Sequence, residues 1–109
     1  MVTVPIKDEY VEVLTVFGNL EAAIDLALQR YTIEQITAKM AELRQKDAAY
    51  QAKYKMDYPT FAQRAAKNEK FIEKIETTNK LWEVDLADWE FCHKGIEDWS
   101  RKLQSILLG

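Results

Sequence analysis

His93 is the only histidine of the chain and follows the only cysteine, Cys92. A nucleophile and its base must meet within hydrogen-bond reach, yet consecutive side chains on a helix diverge by about 100 degrees. A Cys92-His93 dyad is therefore not expected, and Cys92 reads as a small packing residue. Glu90, His93 and Glu97, at i, i+3 and i+7, can share a helix face and form half of a carboxylate-bridged di-metal centre. No second Glu-x-x-His supplies the other half, so this face reads as solvated polar surface. Glu83, Asp85, Asp88 and Glu90 could hold a hard cation, but acidic groups also gather at helix starts because they complement the helix dipole. With three glycines, a phosphate-cradling loop is out of reach, Gly18-Asn19 being too little. Catalytic residues, a metal site and a cofactor are all expected to be absent, and the chain is not expected to be an enzyme.

The elements that position these groups follow from periodicity. The 109 residues, 48% of them apolar, suffice for one core, and a single domain over 1–109 is expected. Val2, Val4 and Ile6 alternate with Thr3 and Pro5, a period-2 pattern that predicts a short edge strand. Asp8 and Glu9 open a first turn, and Gly18 stands at a C-cap position, predicting a helix over about 8–17. Asn19 can cap the next helix, whose face carries Leu20, Ala23, Ile24, Ala27, Leu28 and Tyr31. Thr32 and Gln35 form a capping-box pattern that allows a bend near residue 31, within helix expected from about 19 to 53. Asp57-Tyr58-Pro59 predicts a break and a new helix from Pro59 to about 75, followed by a Thr77-Thr78-Asn79 linker. Trp89, Cys92, Ile96, Trp99, Leu103 and Ile106 then form a narrow seam spaced by threes and fours on a long C-terminal amphipathic helix. Gly95 lets a neighbour approach that seam closely. The fold class is mainly α: a short N-terminal strand, then four or five helices.

Lysine plus arginine number 15 against 18 acidic groups, a net charge of -3 that disfavours a uniformly basic nucleic-acid binder. The charge is unevenly placed, -3 over residues 1–50, +3 over 51–75 and -3 over 76–109. A basic middle beside an acidic end favours pairing of the last two helices. The start has no basic leader and no apolar run nears 18 residues, so a cytoplasmic protein without membrane contact is expected.

Residues 2–6, 8–17 and 19–31 resemble the layout of a ribbon-helix-helix domain. Such a domain pairs its strand with that of a second subunit, so the resemblance implies a homodimer with 1–31 as its dimerisation part. The family reads DNA from the exposed strand face, which here offers Thr3 and Lys7. With the first half at -3 and Arg30 and Lys39 sparse, DNA contact is weakly supported.

Lys53-Tyr54-Lys55-Met56-Asp57-Tyr58-Pro59-Thr60-Phe61 resembles a K-Y-G-M-x-[FY]-x-x-F element, with Lys55 at the glycine position. Trp82-Glu83-Val84-Asp85-Leu86-Ala87-Asp88-Trp89-Glu90 is similar to an E-V-x-x-D-x-x-x-W-E-like element. Through these two elements the chain resembles small bacterial and archaeal antitoxins of toxin-antitoxin pairs, among them those paired with TumE-type toxins. The resemblance implies a non-catalytic protein whose part 32–109 binds a cognate toxin and neutralises it by occlusion. Tyr54, Met56, Tyr58, Phe61, Trp82, Trp89 and Phe91 are the expected contact or supporting residues. Glu83, Asp85, Asp88 and Glu90 would cover a basic surface of the toxin if it acts on RNA. The alternatives are a ribbon-helix-helix-type transcription regulator and a homo-oligomeric helical adaptor.

Overall fold

A computed structural model describes residues 2–109. Among the described residues there are five helices: α1 (Asp8–Val16), α2 (Leu20–Tyr54), α3 (Tyr58–Lys67), α4 (Glu69–Thr78) and α5 (Trp82–Leu108). The chain divides into two compact units, Met1–Gln35 and Ile36–Gly109, with the boundary inside α2.

In the first unit the predicted strand over residues 2–6 is not formed, and no strand occurs among the described residues. A ladder needs a second strand, and a lone segment interrupted by Pro5 finds none within one chain. The helices beside it follow the predicted signals. Asp8 and Glu9 occupy the first turn of α1. Gly18 takes a φ of 136°, a conformation open to glycine at no steric expense. Asn19 then accepts the Ala22 N–H at 3.1 Å as a cap for α2. The capping-box pattern at Thr32 is not used, because its hydroxyl donates instead to the Leu28 carbonyl within an uninterrupted helix.

The second unit holds the buried core. α2 ends at Tyr54, and Lys55 adopts a φ of 59°, the one non-glycine residue with positive φ among those described. The left-handed conformation closes the helix, and a side chain pays about 1–2 kcal/mol there that glycine does not. Asp57 caps α3 by accepting the Thr60 N–H at 2.9 Å, with Pro59 in the first turn as its fixed φ favours. The single helix predicted over 59–75 is two helices. Asn68 is extended, ends α3, and caps α4 by accepting the Phe71 N–H at 3.1 Å. The break is invisible to periodicity because Phe61, Ala65, Ile72 and Ile75 keep helical spacing across it.

α5 runs through Gly95 without interruption. Its pairing with α2 is antiparallel, since Gly95 approaches Leu43, Trp89 meets Asp47, Asp88 meets Tyr50 and Asp85 meets Tyr54. The seam thus closes within one chain over this stretch. Trp89, Phe61 and Cys92 are fully buried, and Ile36, Met40, Leu43, Ile75 and Trp82 complete the core. Each large apolar side chain so buried contributes about 1.5–3 kcal/mol. Further along the seam Ile96, Trp99, Leu103 and Ile106 are half-buried. Among the described residues no helix is long and apolar enough to cross a membrane.

Candidate functional site

Tyr54, Tyr58 and Phe61, singled out in the sequence, converge on Trp89, together with Tyr50, which was not. Ring centroids of Phe61, Tyr50, Tyr58 and Tyr54 lie 5.3, 5.6, 5.7 and 5.9 Å from it, in stacked, tilted and edge-on arrangements. Such pairs add about 0.5–1.5 kcal/mol beyond simple burial. Met56 packs at the margin of the same cluster and Trp82 lies within it. Tyr54, Met56, Tyr58, Phe61, Trp82 and Trp89 thus pack in one cluster that joins α2, α3 and α5.

The acidic quartet divides in two. Asp85 faces α2, and one of its oxygens accepts from Lys53 Nζ at 2.6 Å, the Tyr54 hydroxyl at 2.5 Å and Asn79 Nδ2 at 3.1 Å. Burial pushes its carboxyl upward, but the hydrogen bonds from Lys53 and Tyr54 outweigh this and hold it below its ordinary value. Asp88 accepts the Tyr50 hydroxyl at 2.5 Å. Both tyrosines are pushed above their ordinary range, Tyr50 chiefly by its bond to Asp88 and Tyr54 chiefly by burial. Glu83 is exposed instead, and Glu90, half-buried, pairs with Lys94 at 2.7 Å.

Phe91 is 66% exposed, and Leu81 and Val84, which sequence reading did not single out, are equally open. Glu83 and Glu90, like Val84 and Phe91, are seven residues apart on α5, which places each pair in one row along the helix. Two adjoining rows, one acidic and one apolar, therefore run along two turns. The signal for the apolar row was present in the sequence as two large residues at heptad spacing outside the seam.

Of the catalytic and metal candidates, His93 and Glu97 come together and the others do not join them. Cys92 is buried and its thiol is pushed up by desolvation, which disfavours the reactive thiolate. His93 lies 3.3 Å from Glu97, and its ring centroid is 4.8 Å from that of Tyr58. Glu90 turns to Lys94, and no metal-holding group of His, Cys, Asp and Glu forms among the described residues.

The first unit is a different kind of surface. No residue from 2 to 35 is buried, and ten of the fifteen large apolar side chains exposed among the described residues lie there, including Val13, Val16, Phe17, Leu26 and Tyr31. Leu14, Phe17, Ala23, Leu26 and Ala27, with Asn19, Ala22 and Arg30, line an open cleft of about 380 Å³. Thr3 and Lys7 sit in the exposed segment before α1 that forms no strand. No family model, curated protein or solved structure matches the chain.

Proposed function

We propose that this chain is a non-enzymatic, antitoxin-like protein that pairs with a second copy through its first unit and neutralises a cognate toxin by occlusion. The observation that carries the reading is the concentration of exposed apolar side chains over residues 2–35, where nothing is buried. Exposed apolar surface of this kind marks an interface, and a unit of this size is normally stable only with outside support. A second copy is the economical cover, because it also supplies the missing partner for the extended segment at residues 2–6. This agrees with the ribbon-helix-helix resemblance of the same stretch.

The toxin would be met by the outward rows of α5. Phe91 and Val84 supply apolar anchors, while Glu83 and Glu90 oppose a basic surface such as one that grips RNA. Asp85, Asp88 and the buried aromatics fix the helix that presents these rows.

Co-expression with the product of the adjacent gene tests the reading. Growth arrested by the neighbour alone, rescued by this chain, with a complex that survives purification, is the expected result. A neighbour that is harmless alone and forms no complex would overturn it.

A further inference from the structure

The second unit carries a cleft of about 470 Å³ where the end of α2 meets α3 and α4. Its lining separates by chemistry. Met56, Phe71 and Ile75 give it an apolar floor, and Ile75 is itself buried. Lys55, Arg64 and Lys74 stand exposed at its rim, and no carboxylate lines it. Lys53, a fourth cation, is already held by Asp85 at 2.6 Å. The other three have no carboxylate within ion-pairing distance among the described residues.

Three like charges gathered around an apolar floor repel one another until an anion joins them. The backbone points the same way. Lys55 holds the strained left-handed conformation that glycine would occupy freely, and at that place it contributes one of the three rim charges. Arg64 lies 5.8 Å from the centre of the Phe71 ring, so a cation and an aromatic face are presented together. The basic block at 51–75 predicts helix pairing, yet only Lys53 of these four cations pairs with α5.

We propose that this cleft receives an acidic segment of the partner protein, one apolar side chain resting on Met56 and Phe71 while flanking carboxylates meet Lys55, Arg64 and Lys74. The cleft is half open. A small molecule in a dedicated pocket is normally buried over about 70–90% of its surface, whereas a passing chain segment needs cover on one side only. The proposal rests on the partner-binding reading above and adds the chemistry of a second contact.

The test is a backbone-amide NMR titration of the full chain with the probe acetyl-Asp-Glu-Phe-Asp-Glu-amide. Controls are the same peptide with glycine for phenylalanine, acetyl-Lys-Arg-Phe-Arg-Lys-amide, and phenyl phosphate. Saturable shifts at residues 53–56, 64 and 71–78 are expected, about ten-fold tighter than with the glycine or basic peptide. The triple variant Lys55→Gln, Arg64→Gln, Lys74→Gln, with its helicity checked by circular dichroism, should weaken binding about ten-fold. Shifts that do not saturate, equal binding of the basic peptide, or phenyl phosphate binding as tightly as the acidic peptide would each overturn the proposal. In the co-expression assay, a triple variant that retains the neighbour's product as well as the wild type does would overturn the cleft and leave the function standing. A wild type that captures nothing would overturn the function, and the titration then decides the cleft alone.

Discussion

Trp89 donates its indole N–H to Asp47 at 2.7 Å, joining α5 to α2 across 42 residues of sequence, while the indole itself is fully buried. A buried donor that loses its acceptor keeps its desolvation penalty and gains nothing in return. Asp47→Ala is expected to lower stability by about 1–3 kcal/mol, and Trp89→Ala, which also empties the aromatic cluster, by about 3–5 kcal/mol. Urea unfolding followed by helicity gives both values. Equal losses for the two variants would mean that the hydrogen bond, and not the packing, holds the pair.

Lys55 makes the opposite prediction. Its left-handed backbone is one that glycine adopts freely, so Lys55→Gly should raise stability by about 1 kcal/mol. Lys55→Ala keeps a β-carbon and should leave stability within about 0.5 kcal/mol of the wild type. Denaturant midpoints of the two variants, at unchanged slope, separate the backbone effect from that of the charge. A Lys55→Gly protein no more stable than Lys55→Ala would remove the strain from the account.

Asp85 and Tyr54 act at opposite ends of the pH range. The Asp85 carboxyl is held below its ordinary value in the folded chain, so its contribution is present above the unfolded value of about 3.9 and fades as pH falls through the folded one. The Tyr54 phenol is raised, so its contribution is intact below about pH 10 and fades as pH climbs toward the folded value. Asp85→Asn should cost about 1–3 kcal/mol at pH 7 and flatten the acid limb of a stability profile. Tyr54→Phe should flatten the alkaline limb. Thermal midpoints between pH 2 and pH 11, about as wide as buffers allow, read both effects.

At Gly95 the backbone of α5 comes close to Leu43 of α2. A β-carbon there would stand 2.9 Å from Leu43 Cδ1, the end of a side chain that is itself buried. Gly95→Ala needs only a small shift of that methyl group and gains helix propensity, so it should change stability by less than about 1 kcal/mol. Gly95→Leu cannot be accommodated in the same way and should cost about 1–3 kcal/mol through overpacking. Thermal unfolding of the two variants distinguishes a tolerant contact from a tight one.

How far the sequence reveals this molecule depends on whether a feature is local. Asn19, Asp57 and Pro59 mark their helix starts correctly because a cap acts within three residues. The break at Asn68 is just as local but is masked by an apolar spacing that continues through it. Thr32 carries the same cap signal and does not break its helix, since its hydroxyl finds the carbonyl of Leu28 four residues back. The heptad seam locates Trp89 and Cys92 in the core. The identity of their partner helix, and hence the engagement of Asp85 and Asp88 with Tyr54 and Tyr50, depends on contacts more than 30 residues apart. Those carboxylates therefore look free in the sequence and are committed in the fold. The period-2 pattern at residues 2–6 fails for the complementary reason, because a strand is a property of a pair.

The most direct test of the central claim is the mass of the purified full chain by light scattering, read over a dilution series for the wild type and for Val13→Glu combined with Phe17→Glu. Both positions are exposed on the first unit, at 57% and 78%, so the changes spare the buried core. The account predicts a wild-type mass near twice the 12.7 kDa of one chain, and a helical monomer for the double variant. A wild type that stays at 12.7 kDa up to about 100 μM would contradict it, because the apolar surface of residues 2–35 would then need no second copy to cover it.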